Sequence, residues 1–266
     1  MVFANHAHIY PSRLRPESDL DALKELMREC EIDRCVVFAT IPDRFKELGL
    51  PVNTNVWLSE QIKNEPAFTG FGFVDFELDN QEEQVDEIVS LGLKGIKLHP
   101  PAQGFAVLED KALRVYERAQ RHNLFLSFHT GLHWSRLKDN RTLDYDEVAY
   151  NFPELRFSME HIGGYSFFNE ALAVIANNNR GGRQPRVFAG WTSIDNEKGG
   201  AWSLTDEQLE TVIEQTGEMK SIFGLDFPFK KAEYIKKLMA RIRALNITDT
   251  AKEAILGGNL LRELGE

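Results

Sequence analysis

The stretch Val2-Phe3-Ala4-Asn5-His6-Ala7-His8-Ile9-Tyr10-Pro11 decides between two parallel-sheet folds. It reads as a first β-strand over residues 2–8 that runs directly into a polar end. A doubly wound open sheet places a glycine-rich phosphate loop after its first strand, and here that position holds imidazoles and a proline. Downstream, short apolar runs rich in β-branched and aromatic residues alternate with longer amphipathic segments, the pattern of repeated βα units. Strands are expected at 2–8, 34–40, 68–74, 95–99, 124–129, 155–160, 187–192 and 221–224. Helices are expected between them, among others at 19–29, 81–91, 111–121, 168–176 and 206–216, with apolar residues at i, i+3, i+4 and acidic first turns. Eight such units close into a (β/α)8 TIM barrel, an α/β fold, with residues 1–266 forming one domain.

The chain has 41 acidic against 31 basic residues, and its formal charge of −10 repels phosphate backbones and anionic membranes. Nucleic acid and membrane are therefore excluded as partners, whereas a small-molecule substrate is expected and a homo-oligomer stays open. Cys30 and Cys35, the only cysteines, lack zinc-finger spacing and read as buried free thiols. No basic segment leading into an apolar one is found at the start, and no apolar run approaches the roughly 18 residues that span a bilayer. A cytoplasmic location is the expectation. Segments 41–55, 133–146 and 194–205 read as loops over the C-terminal mouth of the barrel, where Trp134 and Trp202 either line a substrate pocket or, equally, pack on neighbouring helices.

Chemically versatile residues collect at the expected C-terminal strand ends: His6 and His8 on the first, Lys97 and His99 on the fourth, His129 on the fifth, His161 on the sixth and Asp226 just past the eighth. Only His122 and His133 fall outside this set. Side chains two apart on a strand share a face, so His6 and His8 project together into the mouth. Alone, that pair equally fits a polar strand end bonded to loops. His129 and Asp226 give it weight, because three imidazoles, one carboxylate and an open position suit Zn²⁺ as a Lewis acid. Asp226 is also placed to accept a proton from water, although a turn role before Pro228 is the plainer reading of that residue alone. His161, with an ordinary pKa of about 6.5, suits general acid–base work, or else it orients a metal ligand. Lys97 and His99 share a strand face and are read as binding a substrate carboxylate, with Trp134 beside them; a salt bridge is the alternative for Lys97.

With these motifs assembled, the chain resembles the amidohydrolase superfamily, in particular the amidohydrolase-related (amidohydrolase 2) branch of metal-dependent hydrolases. That branch includes small barrel hydrolases, lactonases and carboxymuconate-semialdehyde-type decarboxylases. The likeness rests on His6-Ala7-His8, Gly95-Ile96-Lys97-Leu98-His99-Pro100, His129-Thr130-Gly131, His161-Ile162-Gly163-Gly164 and Gly224-Leu225-Asp226-Phe227-Pro228, in that order. The ending Gly258-Asn259-Leu260-Leu261-Arg262-Glu263-Leu264-Gly265 resembles the Gly-Asn-x-x-Arg-x-x-Gly signature of the branch. The resemblance implies one divalent metal, usually zinc, held by His6, His8, His129 and Asp226, with a second ion if Lys97 is carboxylated. It implies that His161 assists proton transfer. Ala4 departs from the pattern, standing where many relatives carry an acid two residues before the first histidine, and the resemblance makes such an acid the support of His6. The expected activity is hydrolysis of an ester, lactone or amide by metal-activated water, with Asp226 as proton acceptor. The alternatives are decarboxylation of an aromatic or unsaturated acid, and a barrel that has lost catalysis and only binds.

Overall fold

Parallel strands whose residues are apolar on both faces need cover on both sides, and a ring of helices around a closed barrel supplies it. The computed structural model describes residues 1–50, 53–178, 186–194 and 200–265. Its strands are β1 (Phe3–His8), β2 (Arg34–Phe38), β3 (Phe68–Gly72), β4 (Gly95–Leu98), β5 (Phe125–His129), β6 (Arg156–Glu160), β7 (Val187–Trp191) and β8 (Ser221–Phe227). They pair in chain order, all parallel, and β8 closes on β1. The (β/α)8 barrel expected from the sequence is therefore the fold.

The pleat sorts the side chains. Outward residues such as Ile96, Leu98, Leu126, Phe128 and Met159 join the helices in one large core. Inward residues Phe3, Val36, Phe71, Phe125, Phe188 and Ile222, with Phe38 and Phe73 above them, form a second apolar cluster inside the barrel. Leu260 belongs to that inner cluster and brings the C-terminal helix Asn259–Leu264 under the barrel. Asn259 Nδ2 donates to the carbonyls of Glu218 and Ser221, each at 2.8 Å, and Arg262 Nη2 to that of Met219 at 3.0 Å. The Gly-Asn-x-x-Arg stretch is thus a plug that seals the N-terminal end of the barrel. Above the phenylalanines the inner face turns polar, with Asn5, Lys97, Ser127, Ser158, Glu160 and Thr192 all buried.

Local chemistry sets the helix starts. Asp19 accepts from the Ala22 amide at 2.9 Å, and Thr205 with Gln208 forms a capping box. The segment expected as a loop at 41–55 instead contains the helix Pro42–Glu47, started by its proline, and the first residues of Thr54–Ile62, capped by Asn53. Segment 133–146 similarly holds a turn at Leu137–Asp139 and the start of the helix Asp144–Asn151. Of 194–205, residues 195–199 lie outside the described residues. Strand β8 runs past its expected end at 224 to Phe227 and takes Asp226 into the strand. Cys30 and Cys35 are buried free thiols, as expected. Among the described residues, no helix is long and apolar enough to cross a membrane.

Gly95 shows how closely neighbouring strands approach. A Cβ there would be driven into the Phe125 carbonyl and would stand 2.7 Å from the Phe71 ring. Gly95→Ala is expected to cost about 2 kcal/mol through overpacking against backbone that cannot yield. The measurement is urea unfolding, with a lower midpoint and an unchanged slope.

Candidate metal centre

Strand β1 does not run straight into the site. Its register against β2 slips between Ala4 and Ala7, and against β8 between Asn5 and Ala7. His6, at the slip, has φ of 66°. Such a bulge re-aims the side chains around it, so Asn5 and His6 both reach the interior while Ala4 packs with the outer core. Asp226 at φ 57°, His161 at φ 66° and Ser193 at φ 51° are left-handed as well. Each such residue costs roughly 1–2 kcal/mol, and all four lie on one cavity.

The cavity, of about 490 Å³, opens at the C-terminal mouth. His6, His8 and Asp226 converge there, each offering a ligand atom within 4.8 Å of the others. His6 Nε2 lies 3.5 Å from Asp226 Oδ1, and Ser193 Oγ donates to the other carboxylate oxygen. His129 lines the same cavity but stands outside this trio. Its ring stacks on His99 at 3.9 Å and meets His161 edge-on at 4.8 Å, and its buried Nε2 has no hydrogen-bond partner among the described residues. His161 Nδ1 lies 2.8 Å from the Thr192 carbonyl, an acceptor, so Nδ1 carries the proton and Nε2 is bare. Trp202 covers His161 at 4.6 Å, and Trp134 stands at the mouth, 76% exposed.

Lys97 lies elsewhere than expected. It is fully buried beneath the cavity and does not line it, 5.4 Å over the Phe38 ring, with no hydrogen bond to Nζ among the described residues. His99 does line the cavity. His133, set aside in the sequence reading, is on the cavity wall, 4.4 Å from His99 and 5.1 Å from His129. It sits in a loop, where strand periodicity gives no direction. His122 does lie outside, at the end of the helix Asp110–Arg121, 2.9 Å from Asp86.

The sequence reading missed Glu160. Its carboxylate is fully buried and accepts from Asn5 Nδ2 at 2.8 Å, Ser127 Oγ at 3.2 Å, Thr192 Oγ1 at 2.5 Å and Ser158 Oγ. His6 Nδ1 lies 3.3 Å from its Oε2. The signal was available, because Ser158 and Glu160 are two apart on one strand and so share a face.

Burial, reinforced by neighbouring positive charge, holds the imidazoles of His6, His8, His99 and His129 well below their ordinary pKa. Burial brings His161 to about 4 and Lys97 to about 8. Burial also raises Asp226, against the opposing hydrogen bond from Ser193. Neutral imidazoles beside a carboxylate, with an orphaned buried nitrogen at His129, fit a divalent metal. A second group, Asp43, Asp75 and Glu77, is already matched by Lys46 Nζ at 3.3, 2.7 and 3.0 Å.

The family model described as amidohydrolase matches residues 6–262. No curated protein matches the chain in sequence. Among solved structures, the chain is similar to 5-carboxyvanillate decarboxylase from Sphingomonas paucimobilis, at 14% identity and TM-score 0.74, covering 99% of this chain and 98% of that one. It is also similar to a dihydroxybenzoic acid decarboxylase from Polaromonas sp. JS666 with bound manganese and 2-nitroresorcinol (15%, TM-score 0.72, 99% and 96%). A third is a Pseudomonas putida protein named as a candidate 2-pyrone-4,6-dicarboxylic acid hydrolase (16%, TM-score 0.71, 99% and 97%). At these identities the likenesses show the shared fold.

The buried imidazoles make stability depend on pH. Unfolded, His161 takes its proton near 6.5; folded, near 4, so the unfolded chain binds protons first as the pH falls. Its contribution is complete above about pH 6.5 and is lost towards pH 4, amounting to about 2 kcal/mol by pH 5. His6, His8, His99 and His129 act in the same direction. The thermal midpoint of chelator-treated protein is expected to drop by at least about 5 °C from pH 7 to pH 5. A midpoint that holds or rises across that window contradicts the assignment of neutral buried imidazoles.

Proposed function

Given that the chain belongs to the amidohydrolase family, we propose that it is a metal-dependent hydrolase opening an ester, lactone or amide bond of a small carboxylated substrate. The observation that carries this reading is the convergence of His6, His8 and Asp226 within 4.8 Å on an open cavity. His129, with its orphaned Nε2, is the fourth donor in the proposed set. A divalent cation bound there supplies Lewis acidity; zinc suits three imidazoles and a carboxylate, and manganese is held by one structural neighbour.

The remaining chemistry belongs to the chain's own groups. His161, bare at Nε2, accepts a hydrogen bond from the attacking water. Asp226 takes the water's proton and returns it to the leaving oxygen or nitrogen, a task suited to a carboxyl that burial has raised. His99 and Trp134 contact the substrate, and its carboxylate meets Arg44 and Lys230, cations on the cavity wall. Lys97 adds positive charge from below. Trp202, tilted over His161, limits access of bulk water.

Decarboxylation of an aromatic or unsaturated acid is the second reading, supported by the neighbours that are decarboxylases. The pyrone hydrolase candidate supports the first. Product analysis separates them, because only decarboxylation releases carbon dioxide without consuming water.

Chelation is expected to abolish turnover, and added Zn²⁺ or Mn²⁺ to restore it. Asp226→Asn is expected to lower kcat/KM roughly 10³-fold with the fold retained, and His6→Ala to abolish activity. Normal turnover by either variant, or by chelated protein, removes the proposed site.

A further inference from the structure

Both nitrogens of His6 face a carboxylate, Nδ1 towards Glu160 Oε2 at 3.3 Å and Nε2 towards Asp226 Oδ1 at 3.5 Å. A neutral imidazole has one proton to give, so one carboxylate receives it and the other faces a lone pair. The geometry points to Glu160 as the positioning residue that accepts from the Nδ1–H of His6, so that the proton stays on Nδ1 and the bare Nε2 is turned to the metal side. In this chain it does for His6 what the acid absent at Ala4 was expected to do, from a different strand.

The surroundings of Glu160 are built for a fixed acceptor. Asn5, Ser127 and Ser158 donate to Oε1, and Thr192 donates to Oε2, leaving Oε2 one further direction, that of His6. Nδ1 of His6 is buried and makes no formed hydrogen bond among the described residues, and Glu160 Oε2, at 3.3 Å, is the acceptor set beside it. Space is reserved as well. A Cβ on Gly190 would stand 2.5 Å from Glu160 Oε2, and one on Gly224 would collide with the Thr192 hydroxyl. Asp226, by contrast, is 16% exposed at the side chain and already accepts from Ser193, so it is the carboxylate free to turn towards a cation. A ligand imidazole whose other nitrogen donates to a carboxylate is held in one tautomer and one orientation, and loss of that partner weakens metal binding 10–100-fold.

The inference rests on the reading of His6 as a metal ligand, and two measurements keep them apart. In the metal-free full chain carrying ¹⁵N-histidine, with His6 assigned by comparison with His6→Gln, the parent is expected to show the proton on Nδ1. In Glu160→Gln the side-chain amide offers a donor to Nδ1, the proton moves to Nε2, and Zn²⁺ affinity falls roughly 10–100-fold with the far-ultraviolet dichroism spectrum retained. A parent His6 protonated on Nε2, or a Glu160→Gln variant that binds Zn²⁺ as tightly as the parent, overturns the proposal. The tautomer in the unaltered chain decides even if the variant does not fold. A parent that binds neither Zn²⁺ nor Mn²⁺ overturns the metal reading instead, and the tautomer then decides the Glu160 contact on its own.

Discussion

A carboxylate sealed inside a barrel must be matched from every side, and Glu160 imposes that requirement on most of the strands. Burying a charge away from water costs several kcal/mol unless hydrogen bonds and opposite charge replace the solvent. Donors therefore arrive from β1 through Asn5, from β5 through Ser127, from β6 through Ser158 and from the end of β7 through Thr192. Gly190 and Gly224 lack side chains where one would collide with this network. Lys97 on β4 is buried in the same layer, and Glu160 is the strongest influence holding its ammonium charged against burial. In an interior that most barrels fill with branched apolar residues, a polar layer is here gathered around the Glu160 carboxylate.

That layer explains why the backbone is strained above it. His6 and Asp226 within β1 and β8, and His161 and Ser193 just past β6 and β7, take left-handed conformations that regular β-sheet geometry does not supply. The slip in β1 lets consecutive residues, Asn5 and His6, both point inwards, one to complete the carboxylate's shell and the other to stand on it. The strain, a few kcal/mol in all, is held by a closed barrel with a core on each side of its sheet.

How much of this was legible beforehand depends on what kind of information each feature requires. The barrel was legible, because alternation and βα repetition are local patterns that eight units repeat. The convergence of His6, His8 and Asp226 was legible for the same reason, since strand ends in a parallel barrel share one face. Glu160 was overlooked although its period-two relation to Ser158 was present; its importance emerges only once β5, β6, β7 and β1 are known to surround one point. Ala4 faces the outer core by plain alternation with Phe3, and the slip after it turns His6 inward, so the two lie on opposite faces and support for His6 has to come from another strand. His133 and the helix Pro42–Glu47 lie in connections, where no period constrains direction. Lys97 followed the period faithfully, but the depth at which it stops, below the cavity rather than in it, is set by packing on Phe38.

The phenylalanine floor and the C-terminal plug beneath it also govern traffic. With Phe38, Phe71, Phe73, Phe125 and Phe188 filling the lower barrel and Leu260 stoppering it, the described residues close the site from below. Trp134 and Phe229, 76% and 56% exposed, flank its mouth at the C-terminal end. A molecule held in the cavity therefore stands between its floor and the solvent above, so a second reaches the floor after the first has moved aside.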